Sequence, residues 1–244
     1  MGADNLINFH KWQNADKIFS EIPIVVFRRY GYNQHALKSY ISNLYKNFRV
    51  KNKNIQKINN LRLFEITILN TLKSKFIDEI IVTSNSNFIL NKSKKLGVKV
   101  LSRPNNLCKN DTDANQVIEH MIDKLDNKLK KSNPYLVYLQ PTSPLRKSTH
   151  IDQAFKTLKK DHHNLVSVSI GSKSVYKSLS VFGKKIQTLF PKFYNTNDQK
   201  LPLIYKPNGA IYIFLLKDFL KKKKIPINNL CAYIMSKEES LDIN

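Results

Sequence analysis

Hydrophobic and polar positions along the chain follow two periods, helical in the first half and strand-like in the second. Between residues 61 and 75, Leu63, Ile66, Leu69 and Leu72 recur at helical spacing, which predicts an amphipathic helix packed on a sheet. Residues 79–83 read as a strand, followed by Ser84-Asn85-Ser86 as the cap of a helix through Lys95. Gly97 closes that helix, and residues 98–101 form a short strand. A helix running to about Lys131 comes next; Asp111 or Thr112 caps it, and Lys128, Lys130 and Lys131 suit its C-terminal dipole. Residues 135–139 are an apolar strand, and Thr149 starts a helix through Lys160. From Asn164 the pattern shortens to strands over 165–170, 179–182, 186–190, 210–214 and 232–234. Among them, the polar, turn-rich stretch 195–205 reads as a flap or a dimer contact. Upstream, residues 22–27 carry the signature of a buried strand. Strands alternating with helices predict an α/β fold with βα repeats.

The most informative turn follows the apolar strand. Pro141 and Pro144 forbid both a continued strand and an immediate helix, so Gln140, Thr142, Ser143 and Arg146 are left at a strand's carboxyl end. Open α/β sheets bind ligands there. A glutamine amide donates and accepts, hydroxyls bond phosphate or sugar, and arginine suits a carboxylate or phosphate.

Composition narrows the alternatives. At 244 residues and 41% hydrophobic content the chain is long enough for a substantial core, in one α/β domain or a domain with a smaller companion. No apolar run approaches the roughly 20 residues of a membrane helix, and no secretory signal follows Met1, so no membrane partner and a cytoplasmic location are expected. Cys108 and Cys231 lack metal or disulfide spacing and read as reduced structural thiols. The net charge of +23 raises nucleic acid as a partner, but the lysines are spread along the chain and no helix-turn-helix, zinc-finger or RNA-motif pattern accompanies them. His162 and His163 read as solvated, and Lys221 to Lys224 as a solvated face. Patterns of Ser-His-Asp hydrolases, zinc proteases and P-loops are absent.

Leu139-Gln140-Pro141-Thr142-Ser143-Pro144-Leu145-Arg146 resembles a segment of the N-acylneuraminate cytidylyltransferases, the CMP-sialic acid synthetases and their legionaminic acid relatives. Arg103-Pro104, Asp111-Thr112, the stretch Lys206-Pro207-Asn208-Gly209-Ala210-Ile211-Tyr212-Ile213 and the run from Tyr233 to Asp242 resemble that family in the same order. The resemblance covers about residues 51–244. Residues 1–50, with Gly2-Ala3-Asp4-Asn5, Trp12 and Arg28-Arg29-Tyr30-Gly31-Tyr32, resemble instead an internal fragment of nicotinate-nucleotide adenylyltransferases, without that family's His/Thr-x-Gly-His loop or C-terminal Ser/Thr-x-Ile-Arg segment. Two domains are expected, 1–50 and 51–244.

The resemblance implies a three-layer Rossmann-like nucleotidyltransferase fold with a mostly parallel central sheet and a small β-rich extension. It implies transfer of CMP from CTP to a nonulosonic acid, release of pyrophosphate, Mg2+ as cofactor and a homodimer. Lys53, Arg103 and Gln140 become the expected catalytic residues. Asn54, Asp111, Thr112, Thr142, Ser143 and Arg146 would bind nucleotide; Lys177, Gln199, Asn208 and Tyr212 would bind the sugar acid; Asp242 would hold the metal. Several positions depart from the family. The Gly-Ser-Lys part of the phosphate loop is absent before Lys53, Asn85 and Asn244 stand where aspartates are usual, and Asp198 replaces an arginine. Residues 22–27 are a candidate for the first strand, from which Arg28 and Arg29 would emerge. Two further readings remain open on these departures: a non-catalytic nucleotide- or sugar-binding remnant or fusion product, and an adenylyltransferase fragment.

Overall fold

The computed structural model describes residues 53–55, 57–58, 60–109, 112–158 and 163–243. Expectations resting on residues 1–50, Asp111, His162 and Asn244 lie outside the described residues, as does the side chain of Lys53.

A small hairpin, β1 (Lys57–Ile58) and β2 (Leu61–Arg62), leads into α1 (Leu63–Leu72). Glu65 caps the first turn of α1 by accepting from the Arg62 N–H at 2.8 Å. The helix forms where its spacing predicts, but its buried face is Leu63, Phe64, Ile68 and Thr71, while Leu72 is 50% exposed. The reason is geometric: steps of three residues fall short of a turn, so a strict i, i+3 series winds around the helix and ends on the opposite side.

Then come β3 (Ile81–Ser84), α2 (Asn87–Lys95) and β4 (Lys99–Ser102), a βαβ unit whose strands pair in parallel. Ser86 caps α2, its hydroxyl accepting from the Ile89 N–H at 3.5 Å, and Gly97 takes the positive φ (82°) that ends it. The single helix expected up to Lys131 is two, α3 (Ala114–Asp123) and α4 (Asn127–Lys131). Asp126 divides them: its carboxylate accepts from the Lys128 N–H at 2.6 Å and starts a new helix. The cap of α3 is Asp113, which accepts from the Asn115 N–H at 3.0 Å, rather than Asp111 or Thr112.

After β5 (Tyr135–Tyr138) and α5 (Ser148–Thr157), the chain forms β6 (Asn164–Ile170), the hairpin β7 (Leu179–Phe182) and β8 (Lys185–Thr188), and the short α6 (Pro191–Tyr194). It continues through β9 (Tyr205–Leu215), α7 (Leu216–Lys222) and β10 (Leu230–Ile234). The main sheet has the order β10-β6-β9-β5; β10 and β6 are parallel, and β9 runs antiparallel to both its neighbours. The β7–β8 hairpin is the small β-rich extension.

Three layers follow from the alternation of β9. Ile211 and Ile213 pack with Ile151 and Ala154 of α5 on one face, and Phe214 packs with Ile118 and Ile122 of α3 and Phe219 of α7 on the other. A third cluster joins α1 and α2 through Phe64, Ile68 and Ile89. Among the described residues no helix is long and apolar enough to cross a membrane.

Candidate functional site

The turn after β5 is built around a buried cation. Its backbone closes through Ser143 N–H to Gln140 O (3.4 Å) and Arg146 N–H to Ser143 O (3.3 Å). Arg146 folds beneath that loop and is 1% exposed. Its Nη1 donates to the carbonyls of Gln140 (3.0 Å) and Ala210 (2.8 Å), and its Nη2 to Thr67 Oγ1 (3.0 Å). Burial pulls its pKa down to about 10, which leaves it charged at neutral pH. One guanidinium thus ties the loop to β9 and to α1. Gln140 is held by its own carbonyl.

Opposite this loop, β9 is interrupted. Its register against β6 shifts between Val166 and Val168, a bulge at the fully buried Ser167. The Ser167 hydroxyl accepts from the Ile211 N–H (2.7 Å) and donates to Asn208 Oδ1 (2.6 Å). Gly209 takes φ 76°, and a Cβ there would stand 2.9 Å from Gln140 Oε1 and 3.7 Å from Asp242 Oδ2. Any other residue there would be strained by the positive φ and would push the Gln140 amide aside.

Asp242 is brought in by the segment after β10. Ile243 N–H donates to Thr142 O (2.9 Å), Asn208 Nδ2 donates to Ser240 Oγ (2.9 Å), and Glu239 Oε1 lies 3.0 Å from Lys147 Nζ. His150 joins that clamp: Nδ1 accepts from the Lys147 N–H (3.3 Å), so Nε2 carries the proton of the neutral ring and faces Glu239 Oε1 at 3.3 Å. Burial lowers the His150 pKa against the opposing pull of Glu239; the Glu239 pKa is lowered chiefly by its hydrogen bond from Lys147.

The result is a polar recess of about 280 Å³ lined by Gln140, Lys206, Asn208, Gly209, Tyr212 and Asp242, with the hydroxyl residues Ser169 and Ser240 at its wall. The Tyr212 pKa is raised, first by burial and then by Tyr138 and Asp242. A larger cleft of about 700 Å³ adjoins it through Gln140. Its lining includes Asn54, Arg103 and Thr142 and is otherwise mainly apolar. Arg103 Nε is buried without a hydrogen-bond partner among the described residues.

The structure therefore brings Gln140, Asn208, Tyr212 and Asp242 to one recess, and Asn54, Arg103 and Thr142 to the adjoining cleft. Lys53 lies one residue before Asn54 in the short turn Lys53–Ile55. Ser143 and Arg146 are buried under the loop, lining neither cavity. Lys177 pairs with Asp198 at 2.9 Å, and Gln199 sits exposed beside it in the turn Asp198–Lys200. Neither reaches the recess, whose lysine is Lys206. Thr112 lines neither cavity. Sequence reasoning missed Ser169, which has no local signal beyond strand alternation. Ser240 stood in a quoted stretch without a role.

The residues at the recess are carboxylate, amide and hydroxyl oxygens with one lysine, a hard donor set that suits a divalent cation such as magnesium. Among the described residues no group of three or more His, Cys, Asp or Glu side chains is poised to hold a metal, and Asp242 is the carboxylate that lines the recess. Magnesium is commonly held by one or two carboxylates plus substrate phosphates, and the site fits that pattern.

Comparison with known proteins bears on the family and the fold. Residues 46–222 match the family model described as Cytidylyltransferase. N-acylneuraminate cytidylyltransferase of Escherichia coli is 30% identical over 198 residues, which are 80% of this chain and 46% of that protein; the chain thus spans about half the length of that relative. CMP-N,N'-diacetyllegionaminic acid synthase of Legionella pneumophila is 30% identical over 205 residues, 80% of this chain and 85% of that one. A partial likeness, 44% over 59 residues (24% of this chain, 33% of the relative), links it to a probable nicotinate-nucleotide adenylyltransferase of Pelagibacter ubique. In fold, it resembles CMP:2-keto-3-deoxy-manno-octonic acid synthetase complexed with CTP, with TM-score 0.56 at 11% identity over 78% of this chain and 85% of that chain.

Proposed function

The chain belongs to the cytidylyltransferase family, and from that premise we propose that it transfers CMP from CTP to a nonulosonic acid of the sialic or legionaminic type. The observation that carries this reading is the junction at Gln140, where a polar recess holding Asp242 opens onto a cleft holding Asn54 and Arg103. The sugar acid takes the recess. Lys206 faces its carboxylate, and the Gln140 amide, oriented by Gly209, bonds its hydroxyls. The nucleotide takes the cleft mouth, where Arg103 offers an unspent N–H and Asn54 an amide; Lys53 pairs with phosphate.

In the reaction the anomeric hydroxyl oxygen bonds the α-phosphorus, the bond from that phosphorus to the bridging oxygen of the β-phosphate breaks, and pyrophosphate leaves. The hydroxyl proton passes to solvent. The residues act by alignment: Gln140 and Lys206 fix the acceptor, Arg103 and Asn54 fix the donor, and effective concentration rises accordingly. Asp242 would hold magnesium, whose positive charge would offset the charge on the phosphate oxygens.

We place this reaction in the cytoplasm, where CTP is available. The exposed apolar side chains Val181, Phe182 and Ile186 on the β7–β8 hairpin, each about two-thirds exposed, support a homodimer. Sedimentation of Phe182→Asp checks that part. The activity itself is tested by pyrophosphate release from CTP with Mg2+ and either N-acetylneuraminate or N,N'-diacetyllegionaminate. Release with one acid, lost in Gln140→Ala, supports the reading. CTP binding with no release by either acid leaves a nucleotide-binding remnant, and no CTP binding rejects both.

A further inference from the structure

Polar side chains around the recess differ in whether their hydrogen bonds are already spent. Asn208 and Ser240 are spent on the protein itself. Asn208 Oδ1 accepts from Ser167 Oγ (2.6 Å) and from the Ala210 N–H (3.2 Å), and Asn208 Nδ2 donates to Ser240 Oγ (2.9 Å). The Ser240 hydroxyl in turn donates to the Ser236 carbonyl at 2.6 Å. Ser169 differs from both. It is 4% exposed and lines the recess, yet among the described residues nothing bonds its hydroxyl. A hydroxyl taken out of water without a partner costs free energy, and one kept at a cavity wall is suited to an acceptor brought by a ligand.

Strand geometry puts it there. Leu165, Ser167 and Ser169 follow one face of β6. Leu165 packs in the cluster that holds Ile151 and Ala154 of α5, Ser167 fixes Asn208, and Ser169 reaches the recess. Beyond the bulge the ladder to β9 resumes at Val168 and Pro207, which sets Ser169 directly opposite Lys206. Residues opposed in an antiparallel pair hold their Cβ atoms about 4.5–5.5 Å apart on the same face. Lys206 lines the recess too, and it makes no ion pair among the described residues. A cation and an unspent hydroxyl therefore stand side by side.

We propose that Ser169 is a specificity-determining residue of the acceptor site, its hydroxyl donating to one oxygen of the sugar acid's carboxylate while the Lys206 ammonium pairs with the other. The assignment rests on the reading of the recess as the site of the sugar acid. An ammonium is a compact point charge and leaves a planar carboxylate free to turn about it; a second donor alongside fixes the plane. Where the carboxylate is joined directly to the anomeric carbon, fixing that plane also aims the anomeric hydroxyl. A neutral sugar forfeits both contacts, so the pair selects 2-keto acids over neutral acceptors.

Binding rather than turnover decides the matter. Titration calorimetry on the full chain measures affinity for N-acetylneuraminate and for N,N'-diacetyllegionaminate, with the methyl ester of the tighter-binding acid as control. Ser169→Ala is expected to weaken the acid by roughly tenfold to a hundredfold and the ester, whose oxygens are neutral, by only a few-fold. Its midpoint in urea should stay the same or rise, because no bond within the protein is removed. Equal losses for acid and ester, or no loss for the acid, would overturn the proposal, as would a clearly lowered midpoint. If the unaltered chain binds neither acid, the reading of the recess fails and the role of Ser169 fails with it. Acid binding without pyrophosphate release rejects the reaction alone, and the acid-to-ester comparison then still decides Ser169.

Discussion

The cleft and the recess share Gln140 and little else. The recess is small and polar, and the segments that form it are held by specific bonds: Arg146 under Gln140, Ser167 and Ser240 against Asn208, Ile243 to Thr142. The cleft is larger and mainly apolar. The difference teaches that chemistry here is positioned by loops that cross-link over long sequence distances, whereas the cleft is framed by generic apolar packing. It follows that single substitutions damage the recess sharply and the cleft only by degrees.

Arg146→Ala offers the harshest trial of that contrast. Two carbonyls and a hydroxyl lose their donor inside the fold, and stability is expected to fall by about 3 kcal/mol or more in urea denaturation. Gln140→Ala comes next: on the proposed reaction it lowers kcat/KM roughly a hundredfold, about 2.7 kcal/mol, with an unchanged denaturation midpoint. Gly209→Ala combines a positive φ with a close approach to the Gln140 amide, and is expected to cost about 1–2 kcal/mol of stability as well as activity.

A pH series probes the clamp on Asp242. The His150 pKa lies below its usual 6.5, so the unfolded chain binds a proton first and stability drops as pH falls below 6.5; the Glu239 pKa lies below its usual 4.5, and its contribution disappears as pH falls further through that lowered value. The melting temperature should decline in both windows, and His150→Asn should flatten the upper one. Lys177→Ala is the mildest change. Its exposed pair with Asp198 contributes at most about 0.5 kcal/mol, and a loss of activity larger than a few-fold would show that Lys177 does reach the substrate.

Much of this was legible in the sequence where a residue's local chemistry decides its role. Pro141 and Pro144 dictate the turn after β5, Gly97 ends α2, and β7 lies where alternation puts it. The stretches around Gln140, Gly209 and Asp242 were each recognisable, and the fold makes them meet. What stayed hidden depends on partners far away in the chain. Arg146 looked like an anion binder because nothing local announces that Thr67 and Ala210 will surround it. Lys177 looked available because its engagement by Asp198 spans a hairpin. The buried face of α1 was misjudged because its many apolar residues fit more than one stripe.

Arg146 also bears on how the molecule reaches its final form. Its bond to Ala210 spans 64 residues, and Ser167 reaches Asn208 across 41, so neither contact exists until β9 docks. Before that moment the guanidinium must stay hydrated, because hiding it without acceptors is penalised heavily. Half-assembled states are thereby disfavoured. The buried cation acts as a checkpoint that makes completion of the binding surface cooperative with closure of the sheet.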